Sequence, residues 1–131
     1  MLGLDPCSVL LLIEALCLVE SGGDPNAVGD DGEALGILQI HRVYVDDVNR
    51  ILRDDIYSHN MRMSPWCSKQ MFRTYVEHYA TENRLGRPPT LEDLARIHNG
   101  GPDGYKQDRT LPYWRKVKTV LDELQGELDH E

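Results

Sequence analysis

The chain has 131 residues, of which 40% are hydrophobic and 27% charged, with a formal net charge of −8. That length suits a single domain built around one core, and the composition is that of an ordinary globular protein. The acidic balance argues against recognition of nucleic acid through its phosphates, which takes a surplus of Lys and Arg, and against capture of an anionic surface by net charge alone. No internal repeat or low-complexity tract interrupts the sequence.

In chain order, Asp5 and Pro6 form an N-cap and first-position pair that opens a helix over the apolar run SVLLLIEALCLV. The run lacks a basic leader region, and Glu14 and Glu20 interrupt it, so it reads as a core helix and not as an export signal or a membrane span. Two origins stay open: cytoplasmic, or secreted or periplasmic with a leader removed. The helix is expected to stop near Glu20, before Gly22-Gly23. Glu20 then sits at the C-terminal end of a buried helix, where low dielectric and the helix dipole both oppose a negative charge.

The next stretch, DPNAVGDDGEALGILQI, reads as one small β-hairpin. Asp31-Gly32 signals a tight two-residue loop, and the segment from Ala34 to Ile40 continues as a strand. The remainder is helical in pattern. One helix covers Val43 to Arg53, and an irregular loop follows over Asp54 to Met63. Ser64-Pro65 opens a third helix to about Glu82, with Trp66, Phe72, Tyr75, Val76 and Tyr79 inward. Thr90 and Asp93 resemble a capping box for a helix through His98. A glycine-rich loop, Asn99 to Gly104, follows. Thr110 caps a last helix, which is expected to fray from Gly126.

Cys7, Cys17 and Cys67 allow at most one internal disulfide. Cys7 and Cys17 lie about 15 Å apart along one helix, beyond the roughly 7 Å that a disulfide spans, so only Cys67 could pair with one of them; buried free thiols are the expectation. His41, His59, His78, His98 and His130 are scattered, without HExxH or CxxC spacing. No metal and no cofactor are expected. A Ser-His-Asp hydrolase has no G-x-S-x-G elbow to support it.

The chemistry rests on Glu20 with Asp30 and Asp31. Glycoside hydrolysis needs two carboxyl groups in unlike surroundings. One, sheltered by apolar neighbours, keeps its proton for the leaving oxygen. The other, in a solvated turn, stays ionised to meet the oxocarbenium-like centre. A second group, Gln39, His41, His98 and Asn99 with Gly100-Gly101, has the amides and close-approach backbone that sugar rings require.

The segment ESGGDPNAVGDDGEALGILQI resembles the catalytic hairpin of the lysozyme superfamily and the core motif of soluble lytic transglycosylases. Farther on, ARIHNGGPDGY followed by RTLPYWRKV closely resembles the C-terminal half of invertebrate-type, destabilase-like lysozymes, and YVEHYAT fits the same family. The likeness runs from Leu18 to Val117 and is weakest between Val43 and Met63; HNGGP with TLPYW is its most specific part. It implies a mostly helical α+β, lysozyme-like fold with one small hairpin. It also implies hydrolysis of the β-1,4 link between N-acetylmuramic acid and N-acetylglucosamine in peptidoglycan. By motif Glu20 matches the general acid. The second carboxylate falls on Asp30 or Asp31, and Asp30 is favoured because Asp31-Gly32 suits the loop. The likeness places HNGG along the substrate cleft; Gln39 and His41 join the sugar-binding group by residue type, with a structural role as the alternative for His41.

The sequence departs from the family in having lost nearly all its cysteines; Tyr105 stands where a Cys follows the NGGP loop. Stability must then come from the core. The expected partner is peptidoglycan or a chito-oligosaccharide, met by a monomer, with no nucleic acid and no membrane span. Two other functions remain: a lytic transglycosylase needing Glu20 alone, and a glycan-binding protein of the same fold without turnover.

Overall fold

In the computed structural model, which describes residues 2–130, the chain is mostly helical with a small antiparallel sheet. Helix α1 (Pro6–Ser21) is followed by β1 (Val28–Gly29), β2 (Ala34–Leu35) and β3 (Ile40–His41). Then come α2 (Arg42–Leu52), α3 (Pro65–Tyr79), α4 (Glu82–Leu85), α5 (Leu91–Gly100) and α6 (Leu111–Asp129). Two compact units emerge: Glu20–Tyr75, and the segments on either side of it, up to Val19 and from Val76 onward.

The Glu20–Tyr75 unit carries the sheet, in order β1-β2-β3. It is a pair of hairpins and not the single one expected. Gly29 pairs with Ala34, and Ala34 with His41. The anticipated long strand breaks at Gly36, whose φ is +83°, and turns back through Gln39, φ +51°. The cause lies elsewhere in the chain. A Cβ on Gly36 would strike the carbonyl oxygen of Arg62, so the backbone can pass there only as glycine.

Arg62 itself is 1% exposed. Its guanidinium donates to the carbonyls of Glu33 (2.9 Å) and Ile40 (2.8 Å) through Nη1, and to that of His59 (2.7 Å) through Nε. Its own carbonyl accepts from Ser68 Oγ at 2.8 Å. Burial, then Arg42, lower its pKa, with Glu33 and Asp46 opposing; an arginine still remains a cation at any ordinary pH. Among the described residues no carboxylate forms an ion pair with it. Backbone dipoles solvate the charge instead, and in doing so clamp β2 and β3 onto the segment before α3.

That segment, expected to be loop, contains a 3-10 turn over His59–Met63. Asn49 anchors its approach, donating to the Tyr57 carbonyl (2.8 Å) and accepting from the Tyr57 N–H (3.0 Å). In α3 the buried stripe is Ser68, Met71, Phe72, Tyr75 and Val76, a spacing of three and four. Trp66 lies off that stripe and is 71% exposed, contrary to the inward position expected for it. Helix α3 also ends at Tyr79, short of Glu82. Thr81 starts α4 there, its hydroxyl accepting from the Arg84 N–H at 3.2 Å.

In the other unit, Leu12 and Leu16 of α1, Leu94 and Ile97 of α5 and Val117 of α6 are fully buried. The capping box at Thr90 forms in both directions. Asp93, its acidic half, is buried and also takes a two-pronged bond from Arg87, at 2.6 and 2.8 Å. Helix α5 runs on through Asn99 and Gly100, beyond the end expected at His98. Thr110 is not the side-chain cap anticipated for α6. Its buried hydroxyl accepts from Arg96 Nε (2.8 Å) and lies 2.7 Å from the Gly104 carbonyl. Helix α6 continues to Asp129, through the residues expected to fray.

Two outcomes follow for stability. Gly36→Ala adds both a left-handed φ penalty and a clash with fixed backbone, and should cost about 2–4 kcal/mol in urea denaturation. Asp93 has its pKa lowered: burial opposes its charge, but the Arg87 bond and the Thr90 N–H and hydroxyl outweigh burial. A carboxyl with a depressed folded pKa stabilises above its unfolded pKa and loses that contribution as pH falls through the folded value. Asp93→Asn should therefore lower the melting temperature at pH 7, by about 2 kcal/mol in stability, and converge on the parent protein at acid pH.

Candidate active site

Glu20 lies in the last turn of α1, in register with the buried Ile13 and Leu16. It is half-buried and not enclosed, because the helix ends one residue later and nothing of α1 continues over it. Ser21 Oγ donates to the Ile37 carbonyl at 2.8 Å. This bond fixes the end of the helix to the turn between β2 and β3. Tyr44, on α2, is buried and stacked on Tyr75 with ring centroids 3.9 Å apart and planes 20° apart. Burial raises the Tyr44 pKa well above the usual phenol value, and Tyr75 and the Glu20 carboxylate raise it further. Tyr44 therefore stays a neutral phenol, close enough to Glu20 for the acid's charge to disfavour its ionisation.

Gly29 pairing with Ala34 leaves Asp30–Glu33 as the first loop, longer than the two-residue turn expected. Asp30 (φ 49°), Asp31 (φ 55°) and Gly32 (φ 93°) are all left-handed, a region Asp tolerates better than most side chains. Both aspartates are exposed. Asp30 Oδ2 lies 2.8 Å from Nε2 of His41. Asp31 shows no such side-chain partner among the described residues.

Gln39 has its amide N–H groups engaged by the carbonyls of Ala27 (3.2 Å) and Gly36 (3.0 Å), tying the second turn to the chain entering β1. His98 is buried on α5, while Asn99 is exposed in its last turn. The Gly100 carbonyl accepts from Arg109 Nη2 at 2.8 Å, and the Gly101 N–H closes the helix on the Ile97 carbonyl at 2.9 Å. A Cβ on Gly100 would crowd Thr110 Cγ2 at 2.5 Å, so packing alone requires a glycine there. Glu20, Asp30, Asp31, Gln39 and His41 thus share one unit, and His98 to Gly101 belong to the other.

Cys7 is exposed, Cys17 buried and Cys67 half-buried, and none of them is in a disulfide. Among the described residues no cluster of three His, Cys, Asp or Glu could hold a metal ion, and no helix is long and apolar enough to cross a membrane. Tyr44, Ser21 and Arg62 carry parts of the site that the sequence did not mark. Tyr44 could have been found from its place beside Val45 and Val48 on the buried side of α2. Arg62, in the polar run HNMRM, offered no signal.

A largely helical chain with a small antiparallel sheet, one acid closing the first helix and two more in the first turn of the sheet, defines a lysozyme-like fold. Residues 11–120 match the model of the family described as Destabilase. The chain belongs to that family. It is 33% identical over 109 residues to the invertebrate-type lysozyme of Ruditapes philippinarum, covering 80% of this chain and 76% of that one. It is also 33% identical to lysozyme 1 of Crassostrea virginica, covering 81% of this chain and 56% of the relative. Among solved structures, Meretrix lusoria lysozyme in complex with Aeromonas hydrophila PliI superposes with a TM-score of 0.70 at 29% identity, over 84% of this chain and 88% of that one. Tapes japonica lysozyme gives 0.66 at 29% identity, over 82% and 85%.

The Ser21 bond is open to a direct check. Ser21→Ala should lower activity about 3- to 10-fold, because the end of α1 is less well fixed to the turn between β2 and β3. It should cost only about 1 kcal/mol in stability. Paired kinetics and thermal denaturation of this variant measure both.

Proposed function

We propose that Glu20 and Asp30 are the carboxyl pair with which this lysozyme hydrolyses the β-1,4 link between N-acetylmuramic acid and N-acetylglucosamine in peptidoglycan. The observation that carries the assignment is the contrast between them within one unit. Glu20 is half-buried near the buried Tyr44, whereas Asp30 stands in solvent on a loop. In the proposed cycle Glu20 protonates the glycosidic oxygen as the bond to the anomeric carbon breaks. Asp30 stabilises or attacks that carbon, and water completes the reaction with Glu20 as base. Within the same unit Gln39, its amide N–H groups held by the Ala27 and Gly36 carbonyls, steadies the backbone beside the carboxylate loop.

Three variants test this on peptidoglycan. Glu20→Gln should abolish clearing in zymograms, with a loss of about 10³-fold. Asp30→Asn should cost about 10²-fold or more, and Asp31→Asn far less. Mass spectrometry of the products should show reducing ends. Anhydro-muropeptides, with activity surviving Asp30→Asn, would instead establish a lytic transglycosylase acting through Glu20 alone. Absence of clearing by the parent protein, equal to that of Glu20→Gln, would leave a glycan-binding protein.

A further inference from the structure

The geometry points to His41 as a positioning residue that holds Asp30 in its working orientation, an inference that rests on Asp30 being the second carboxylate. Asp30 emerges from the sheet on a loop whose first three residues are left-handed, and its side chain is 69% exposed. Nothing in such a place fixes a carboxylate by packing. His41 supplies what packing does not, through the 2.8 Å contact from Nε2 to Oδ2. With Oδ2 tethered, Oδ1 is the oxygen left to face a substrate.

The sheet explains how the two residues meet. Gly29 pairs with Ala34 and Ala34 with His41, so the three stand in one row across β1, β2 and β3. Adjacent strands lie about 4.8 Å apart. The imidazole therefore has to reach across the small, buried Ala34 to the residue just past Gly29. The base of that reach is rigid, because the buried Arg62 guanidinium holds the Ile40 carbonyl immediately before His41. His41 is also the N-cap residue of α2, where a side chain ordinarily turns to the helix's free N–H groups. It makes no such capping bond; its ring goes to Asp30. Asp31, one residue on, shows no equivalent tether among the described residues, which separates the two candidate carboxylates by geometry.

The test compares kcat and KM on a chito-oligosaccharide for the parent protein, His41→Ala, His41→Gln, Asp30→Asn and the double variant Asp30→Asn/His41→Ala. His41→Ala should lower kcat about tenfold or more, with KM within about twofold and the melting temperature nearly unchanged, because the side chain is half exposed. His41→Gln, which keeps an N–H donor, should recover most of the lost kcat. In the Asp30→Asn background the His41→Ala change should add little, as expected of residues acting as one unit. The inference is overturned if His41→Ala leaves kcat intact, if its loss falls on KM, if Gln does not rescue, or if the full loss persists without the Asp30 carboxylate. Asp30→Asn at parental activity would remove the carboxyl-pair assignment itself, and this role with it. A crippled Asp30→Asn beside an unaffected His41→Ala would remove only the tether.

Discussion

The sheet-bearing unit is held by a buried cation, Arg62, that among the described residues is met by backbone carbonyls and not by a carboxylate. Arg62 places its guanidinium against the carbonyls of Glu33, Ile40 and His59, while its own carbonyl receives Ser68 and presses on Gly36. A buried ion pair would need excellent geometry to offset the desolvation of both partners. Here three backbone carbonyls solvate a single charge, and each bond is charge-assisted. Strands of two residues make few ladder bonds of their own. Such strands keep their register because the chain on either side of the second turn is fastened to a common point.

The site inherits its order from that fastening. Ile40 is bound by Arg62, so His41 projects from a fixed place, and His41 in turn meets Asp30. At the other edge of the same turn, the Ile37 carbonyl receives Ser21, the neighbour of Glu20. Both acids are thus referred to one short stretch, Gly36 to His41. Two of the three bonds that locate them end on a backbone carbonyl, of Ile40 and of Ile37, and the third joins the His41 and Asp30 side chains.

Much of this was legible beforehand, for reasons specific to each element. Helices α1, α3 and α5 announce themselves through Asp5-Pro6, Ser64-Pro65 and Thr90 with Asp93, local pairs whose capping chemistry needs no distant partner. Glu20 and the aspartates stand out as candidates because acids beside glycines at a helix end and in a turn are a local pattern as well. The break at Gly36, the interior place of Arg62 and the contact between Asp30 and His41 were not legible. Each depends on residues far apart in sequence meeting at one register. Trp66 was misplaced because aromatic character suggested burial, whereas its angular position on α3 decided the matter. Thr110 looked like a cap, but Arg96 and Gly104 claim its hydroxyl.

The three thiols remain unlinked, in a family whose likeness leads one to expect sulfur cross-links. An arginine keeps its charge across the whole range of pH in which proteins work, and its bonds to carbonyls involve no electron transfer. A chain closed in this way should keep its shape as readily in reducing surroundings as in oxidising ones. None of its three cysteines is in a disulfide, so no cross-link has to be formed or reshuffled for the fold to close.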